Sequence, residues 1–340
     1  MIIVRSPLRI SLAGGGTDLQ KYYQTGLGAV CSFAINKYVY VTVNNLSSYF
    51  PHRLRVAYSQ TELVQEVSNI KHPIVKAALE EMKITGGIDV NVMADIPAGT
   101  GMGSSSAFTV GLLQALYAFK QKLVDKERLA SEACRLEIEL LKEPIGKQDQ
   151  YAAAFGGINL IRFHANERVE VEPLPLNAAF ERFFLNHMML FYLGGSRSAG
   201  DILKVQSANI ANHLAQLDEM KTQAITTAEI LLKSARALNQ GGESAAFREL
   251  HELGPVLQRG WALKRSLASD ISNQKIDEVM QKAYSAGAFG GKLLGAGGQG
   301  FVLLFVPPEK RTSVGSALTE YREVEIGMDH MGSTLLYYGG

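Results

Sequence analysis

The chain has 340 residues, 46% apolar and 20% charged, with a formal net charge of +1. That length and mix suit a soluble globular protein with a large core and room for two domains. The near-neutral charge argues against a nucleic-acid or anionic-membrane partner, and no apolar run reaches the ~18 residues a membrane span needs.

The first residues, MIIVRSPLRI, lack the apolar core and cleavage site of a signal peptide. Ile2, Val4, Leu8, Ile10 and Leu12 alternate as in a strand, which runs into Gly14-Gly15-Gly16-Thr17-Asp18. Three glycines before Thr-Asp predict a tight turn capped by Asp18. Strands are predicted over Cys31–Val43 and Arg53–Tyr58, and a helix over Pro73–Met82. The two cysteines, Cys31 and Cys134, sit in apolar surroundings and predict buried thiols in a reducing, cytoplasmic setting.

The stretch from Ile88 to Phe119 is the most informative. Ile88, Val90, Val92, Ala94 and Ile96 alternate as a half-buried strand, whereas Phe108, Leu112, Ala115, Leu116 and Phe119 recur at helical spacing. Between them lie Gly99, Gly101, Gly103 and the run Ser104-Ser105-Ser106. A glycine-rich turn opening a helix aims backbone N–H groups at one point, the physical recipe for holding phosphate. Walker A spacing, G-x-x-x-x-G-K-[ST], is absent from the sequence.

A second helix is predicted over Lys126–Leu141, with Leu129, Ala133, Leu136 and Leu140 as its apolar face and Glu132, Glu137 and Glu139 on or near it. Pro144 ends it. The polar cluster Lys147-Gln148-Asp149-Gln150 comes next, before the run Ile158–Ile161. A domain change is predicted between Arg162 and Glu181. Beyond it come a strand over His187–Leu193, helices over Ser207–Leu238, Ser244–Arg265 and Lys275–Ala286, and a second glycine loop, Gly290–Gly300. That loop enters the strand Phe301–Val306; a helix near Lys310–Tyr321 and a strand over Ser333–Tyr338 close the chain.

Gly295 to Gly300 fits G-x-G-x-x-G, but helix precedes it and strand comes after, the wrong context for a dinucleotide fold. No H-E-x-x-H zinc motif or G-x-S-x-G hydrolase motif occurs. What remains is a phosphate loop, an acid-bearing helix, a polar cluster at Asp149, the pair Arg9 and Asp18, and a second glycine loop. These parts suffice for phosphoryl transfer, which needs positioning and charge neutralisation more than covalent chemistry.

Three segments in order, Ser6–Asp18, Pro97–Ala107 and Lys292–Gly300, resemble the three motifs of the GHMP kinases. The resemblance spans the chain. It implies an α+β fold of two domains: a ribosomal-protein-S5-like, ATP-binding half over 1–170 and a ferredoxin-like half over 171–340, with the active site between them. Within the family, SPLRISLAGGGTD and GKQDQYAAAFGG are most similar to the heptose 7-phosphate kinase branch. The implied activity is ATP- and Mg²⁺-dependent phosphorylation of the anomeric C1 hydroxyl of D-glycero-α-D-manno-heptose 7-phosphate, giving the 1,7-bisphosphate for GDP-heptose and surface polysaccharide. A fucokinase- or galactokinase-like sugar 1-kinase is the alternative, and a non-catalytic sugar or ATP sensor a remote one.

The resemblance also implies roles. Asp149 is the proposed base and Arg9 the cation that stabilises charge beside it. The ATP phosphates fall to Pro97, Gly99, Thr100, Gly101, Met102, Gly103, Ser104, Ser105 and Ser106, and Mg²⁺ to Ser105 and Glu137, with Glu139 the fallback. Gly15, Gly16, Thr17, Asp18, Gln148, Gly297 and Gly298 are expected around the sugar, with Lys147 and Arg197 as cations for its 7-phosphate. The partners implied are ATP and a small sugar phosphate; the resemblance also allows a homodimer.

Overall fold

Strand β1 (Ile2–Ala13) pairs antiparallel along most of its length with β2 (Leu27–Asn45), and the short helix α1 (Gln20–Tyr23) fills the connection. The protein is described by a computed structural model over residues 1–195, 209–268 and 271–339. The strand β2 is long enough to serve two neighbours. Its first half, Leu27–Phe33, pairs with β6 (Ile158–His164), and its second half, Val39–Asn45, pairs with β5 (Ile88–Ala94). Strand β3 (Leu54–Ala57) lies parallel to β5 and pairs with β4 (Thr61–Val64); helix α2 (Pro73–Glu81) makes the crossover that parallel pairing requires. The hairpin partner of β6 is β7 (Val169–Pro173).

Three helices lie between β5 and β6 in sequence: α3 (Ser104–Phe119), α4 (Lys126–Cys134) and α5 (Gln148–Phe155). Helix α3 buries residues around most of its circumference, against β1 and β2 on one side and α4 and α5 on another. That position explains its near-uniform apolarity.

Helix α6 (Ala178–Asn186) leads to a second sheet built on β8 (Met188–Tyr192). The helices α7 (Leu214–Leu250), α8 (Leu253–Ser266) and α9 (Gln274–Ser285) come next. The hairpin β9 (Gly290–Leu293) and β10 (Phe301–Phe305), helix α10 (Arg311–Ala317) and strand β11 (Arg322–Glu323) complete this half; the strand order is β11-β8-β10-β9 among the described residues. The chain then returns, and β12 (Thr334–Tyr338) pairs with Ile2–Arg5 of β1. The final strand therefore belongs to the first sheet, so contiguous halves at 1–170 and 171–340 do not describe the sheets.

Several local expectations need correction. Gly290–Leu293 is strand, so the second glycine loop joins two strands. Gln148–Phe155, where the sequence predicts no element, is a helix, short enough that its polar first turn hid it. The predicted helix over Ser244–Arg265 is interrupted at His251-Glu252, between α7 and α8, whereas the predicted gap before Ser244 falls where Gly242, with φ 73° and ψ −169°, breaks α7. The expected helix over Lys126–Leu141 changes character at Arg135, where a π-helical stretch runs to Leu140. One such wide turn adds a residue and rotates the later side chains by about 100°. Leu140, expected on the apolar face, is 42% exposed, while Glu137 is 1% exposed.

One large apolar core links both halves. Phe184 of α6, fully buried, packs edge-on against Phe33 of β2, with ring centroids 5.6 Å apart. Cys31 and Cys134 are buried free thiols, and no helix among the described residues is long and apolar enough to cross a membrane. Phe184→Ala should cost about 3–5 kcal/mol. Urea unfolding should show the loss as a lower midpoint, with the slope unchanged.

Candidate active site

A cavity of about 480 Å³ opens where the loop before α3, the turn after β1, the start of α5 and the β9–β10 hairpin meet. Gly103 precedes α3 in left-handed conformation, φ 75°, and no side chain caps that helix. The first-turn N–H groups are thus left for a ligand. Gly99, Gly101, Gly103 and Ser104 to Ser106 line the cavity. Pro97, Thr100 and Met102 do not; they build the loop from behind. Thr100 donates its hydroxyl to Pro97 O at 2.9 Å, and the buried Met102 accepts from Arg9 N at 3.1 Å.

The two glycine loops touch. A Cβ on Gly295 would fall 2.2 Å from Gly101 Cα, and one on Gly101 would fall 2.6 Å from Leu294 O. Both positions also have positive φ, so only glycine lets the loops meet here.

Arg9 anchors the centre. Its Nε and Nη2 reach Asp149 Oδ1 at 2.8 and 2.7 Å, and its Nη1 donates to Gly101 O at 2.7 Å. The arginine side chain is 5% exposed and that of Asp149 24%. Asp149 stands in the first turn of α5, and a Cβ on Gly103 would lie 3.1 Å from its Oδ2. Among the described residues no hydrogen bond occupies Oδ2, so the carboxylate is oriented through one oxygen and open at the other.

Glu137 reaches the same cavity through the π-helical turn. Ser105 Oγ donates to its Oε1 at 3.2 Å, and Gln150 Nε2 to its Oε2 at 2.7 Å. Burial pushes the carboxyl up to about 7, opposed by Gln150 and the Ser106 and Thr109 hydroxyls; the charge of Asp149 adds to the rise. A buried carboxylate beside a hydroxyl, with no ion-pair partner among the described residues, fits a hard divalent cation shared with phosphate oxygens. Glu139 is exposed and does not line the cavity.

The turn after β1 is held by its own polar groups. Asp18 accepts from Gly16 N at 2.9 Å and from Gln148 N at 3.3 Å. Its carboxyl is raised by burial and by the charge of Asp149. Gly15, Gly16, Asp18 and Gln148 line the cavity. Thr17 does not: its hydroxyl is spent on Gly14 O and Ala29 O, both at 2.8 Å.

Other expected contacts are not made. Lys147 turns to Glu167 and lies 5.0 Å over the Tyr23 ring, away from the cavity. Gly297 and Gly298 pack on Ile271 and Asn273, and the neighbouring Gly295 and Ala296 take the lining positions. Arg197 lies outside the described residues. Conversely, Ser11, His72, Lys264 and Lys292 line the cavity without having been expected there. Lys292 opens the third motif segment, Lys292–Gly300, whereas Lys264 is one charge within the predicted helix Ser244–Arg265 and carries no signal of its own.

Two domain models of one family match these segments: GHMP kinases N terminal domain over residues 68–157 and GHMP kinases C terminal over residues 243–323. The chain belongs to the GHMP kinases. The first match contains the serine loop, Glu137 and Asp149, and the second Lys264, Lys292 and Gly295. This GHMP kinase is 27% identical over 331 residues to the D-glycero-alpha-D-manno-heptose 7-phosphate kinase of Campylobacter jejuni, covering 93% of both chains. It is 29% identical over 357 residues to the L-fucokinase/L-fucose-1-P guanylyltransferase of Bacteroides fragilis, covering 93% of this chain and 36% of that protein. A crystal structure of a D-glycero-D-manno-heptose 1-phosphate kinase from Bacteroides thetaiotaomicron superposes with TM-score 0.77 at 25% identity, covering 100% of both chains. The expected α+β GHMP kinase fold is therefore the fold of this chain.

Glu137 predicts a pH signature in the metal-free protein. Its folded pKa, about 7, lies above the ordinary 4.5. The folded state therefore holds the extra proton between those values, and stability falls as pH rises through that window. The loss should be on the order of 3 kcal/mol. Glu137→Gln should flatten this part of the profile and exceed the wild type in stability above pH 7, measured by urea unfolding from pH 5 to 8.

Proposed function

We propose that this GHMP kinase transfers the γ-phosphoryl group of ATP to the anomeric C1 hydroxyl of D-glycero-α-D-manno-heptose 7-phosphate, yielding the 1,7-bisphosphate. The observation that carries the phosphotransfer reading is the Arg9–Asp149 pair: a carboxylate open at one oxygen, beside an uncapped helix N-terminus behind a serine-glycine loop. The sugar is suggested by the heptose kinase relatives, each aligned over nearly its whole length. The product would supply GDP-heptose synthesis in the cytoplasm.

In this reading the α3 N-terminus and the Gly99–Ser106 loop hold the ATP phosphates. Asp149 accepts the acceptor's proton at Oδ2 while Arg9 fixes Oδ1. The acceptor oxygen then forms the new P–O bond as the bond to ADP breaks. Asp18 and Gln148 hold sugar hydroxyls. Glu137 and Ser105 would hold Mg²⁺, which neutralises phosphate charge when bound. An anomeric hydroxyl is more acidic than an ordinary alcohol, so a carboxylate is an adequate base.

A second reading, a sugar 1-kinase for an unphosphorylated acceptor, is favoured by one observation. Lys147, a cation expected for the 7-phosphate, is engaged by Glu167. The fucokinase relative points the same way.

The test is Mg²⁺-dependent ATP consumption with heptose 7-phosphate, heptose 1-phosphate, mannose, fucose and galactose. The two heptose kinase relatives differ by name in the phosphate they specify, so both phosphates are needed. Turnover should be confined to the 7-phosphate, and Asp149→Asn should lower kcat by about 10²–10⁴. Turnover of a free sugar at equal efficiency would select the second reading.

A further inference from the structure

Lys264 projects from α8 into the cavity and is 8% exposed. Its Nζ donates to Gly295 O, the glycine that packs on Gly101. Arg9 donates to the carbonyl of Gly101 itself. Two cations thus hang from the two glycines at the point where the phosphate loop meets the β9–β10 hairpin. The other cavity lysine, Lys292, spends its ammonium on Ser11 O and Leu12 O at 2.8 and 3.2 Å, tying β9 to β1. Arg9 is engaged through all three of its nitrogens. An ammonium has three donors, and one carbonyl is the only described protein partner of Lys264. Two donors are left for a ligand.

The charges around it locate that ligand. Lys264 senses Arg9, Asp18 and Asp149, and it in turn acts on Lys292. Through Gly295, Gly101 and Arg9 the lysine is linked to Asp149, the proposed base, and Glu137 is not among the charges that act on it.

We propose that Lys264 is a further catalytic residue, whose ammonium meets the oxygens of the phosphoryl group as it passes from ATP to the acceptor. The assignment rests on the sugar-kinase function proposed for this site. In that step the bond between the γ-phosphorus and the bridging oxygen breaks, and ADP leaves with the electron pair. The acceptor oxygen forms the new P–O bond, and its proton goes to Asp149. A fixed cation in a dry cavity stabilises the charge carried by the moving group without reorganising. Burial and Arg9 lower the lysine to about 8, while Asp18 and Asp149 oppose the fall. The free enzyme should therefore lose activity as pH rises past 8 and the ammonium is lost.

Wild type, Lys264→Met and Lys264→Arg are compared on heptose 7-phosphate and on mannose, with binding of a non-hydrolysable ATP analogue by calorimetry. Fluorescence of Trp261, one helical turn away, reports folding. Lys264→Met should lower kcat about 10²–10³-fold on whichever acceptor the wild type uses, with nucleotide affinity unchanged. Lys264→Arg should retain part of the rate and lose the alkaline limb of the kcat/KM profile, because arginine stays charged; this decides the matter if the methionine variant does not fold. A kcat within threefold of wild type in Lys264→Met overturns the proposal. So does a loss confined to KM for the phosphorylated acceptor, which would make Lys264 a reader of the substrate's own phosphate. An alkaline limb that survives in Lys264→Arg also overturns it. A wild type that consumes ATP with no acceptor overturns the functional reading, and this proposal with it.

Discussion

Arg9 is the bond on which the site depends. Its side chain joins a carbonyl of the phosphate loop to the carboxylate of α5, and its backbone N–H holds Met102 of the same loop. Phosphoryl transfer demands that donor and acceptor groups keep a fixed separation and alignment. A buried arginine fixes that geometry with a planar fork of donors. Because Arg9 lies within β1, paired with β2 through Ala34, the fork is anchored in the central strand pair of the larger sheet.

The cavity is also a problem of charge. Asp18, Glu137 and Asp149 approach one another in surroundings that favour neutral groups, and burial raises Asp18 and Glu137 while their shared neighbour Asp149 raises both further. Arg9, Lys264 and Lys292 offset that concentration, the two lysines themselves lowered by burial. Such a set is unfavourable for folding and useful for binding. Burial disfavours the charged forms of Asp18, Glu137, Lys264 and Lys292, so a ligand that brings the opposite charge gains more than it would at the surface.

Backbone irregularities make the approach possible. The left-handed Gly101 and Gly295 let two loops from different sheets meet at van der Waals distance. The π-helical turn at Arg135–Leu140 keeps Glu137 buried and leaves Leu140 exposed. Wide helical turns lose regular hydrogen bonding and persist where the side chain they redirect has work to do.

Much of this was legible in the sequence. Alternation and helical spacing marked β1, β5 and α3, and glycines at every second position before three serines marked the loop, because these depend on nearest neighbours along the chain. The resemblance of three ordered segments then led to Arg9, Asp149, Ser105 and Glu137, which the fold brings to one cavity. What sequence could not supply were contacts set by packing between distant elements. Lys147 faces Glu167 instead of the cavity because α5 begins beside the β6–β7 turn. The Thr17 hydroxyl is consumed by Gly14 O and Ala29 O, and of the two acids in the π-helical stretch Glu137 is buried and Glu139 exposed. Lys264, on a helix that reads as core, reaches the site only because Gly295 folds back over Gly101. Local chemistry is written in adjacent residues; the direction a side chain finally takes is decided by which surfaces the tertiary fold presses together.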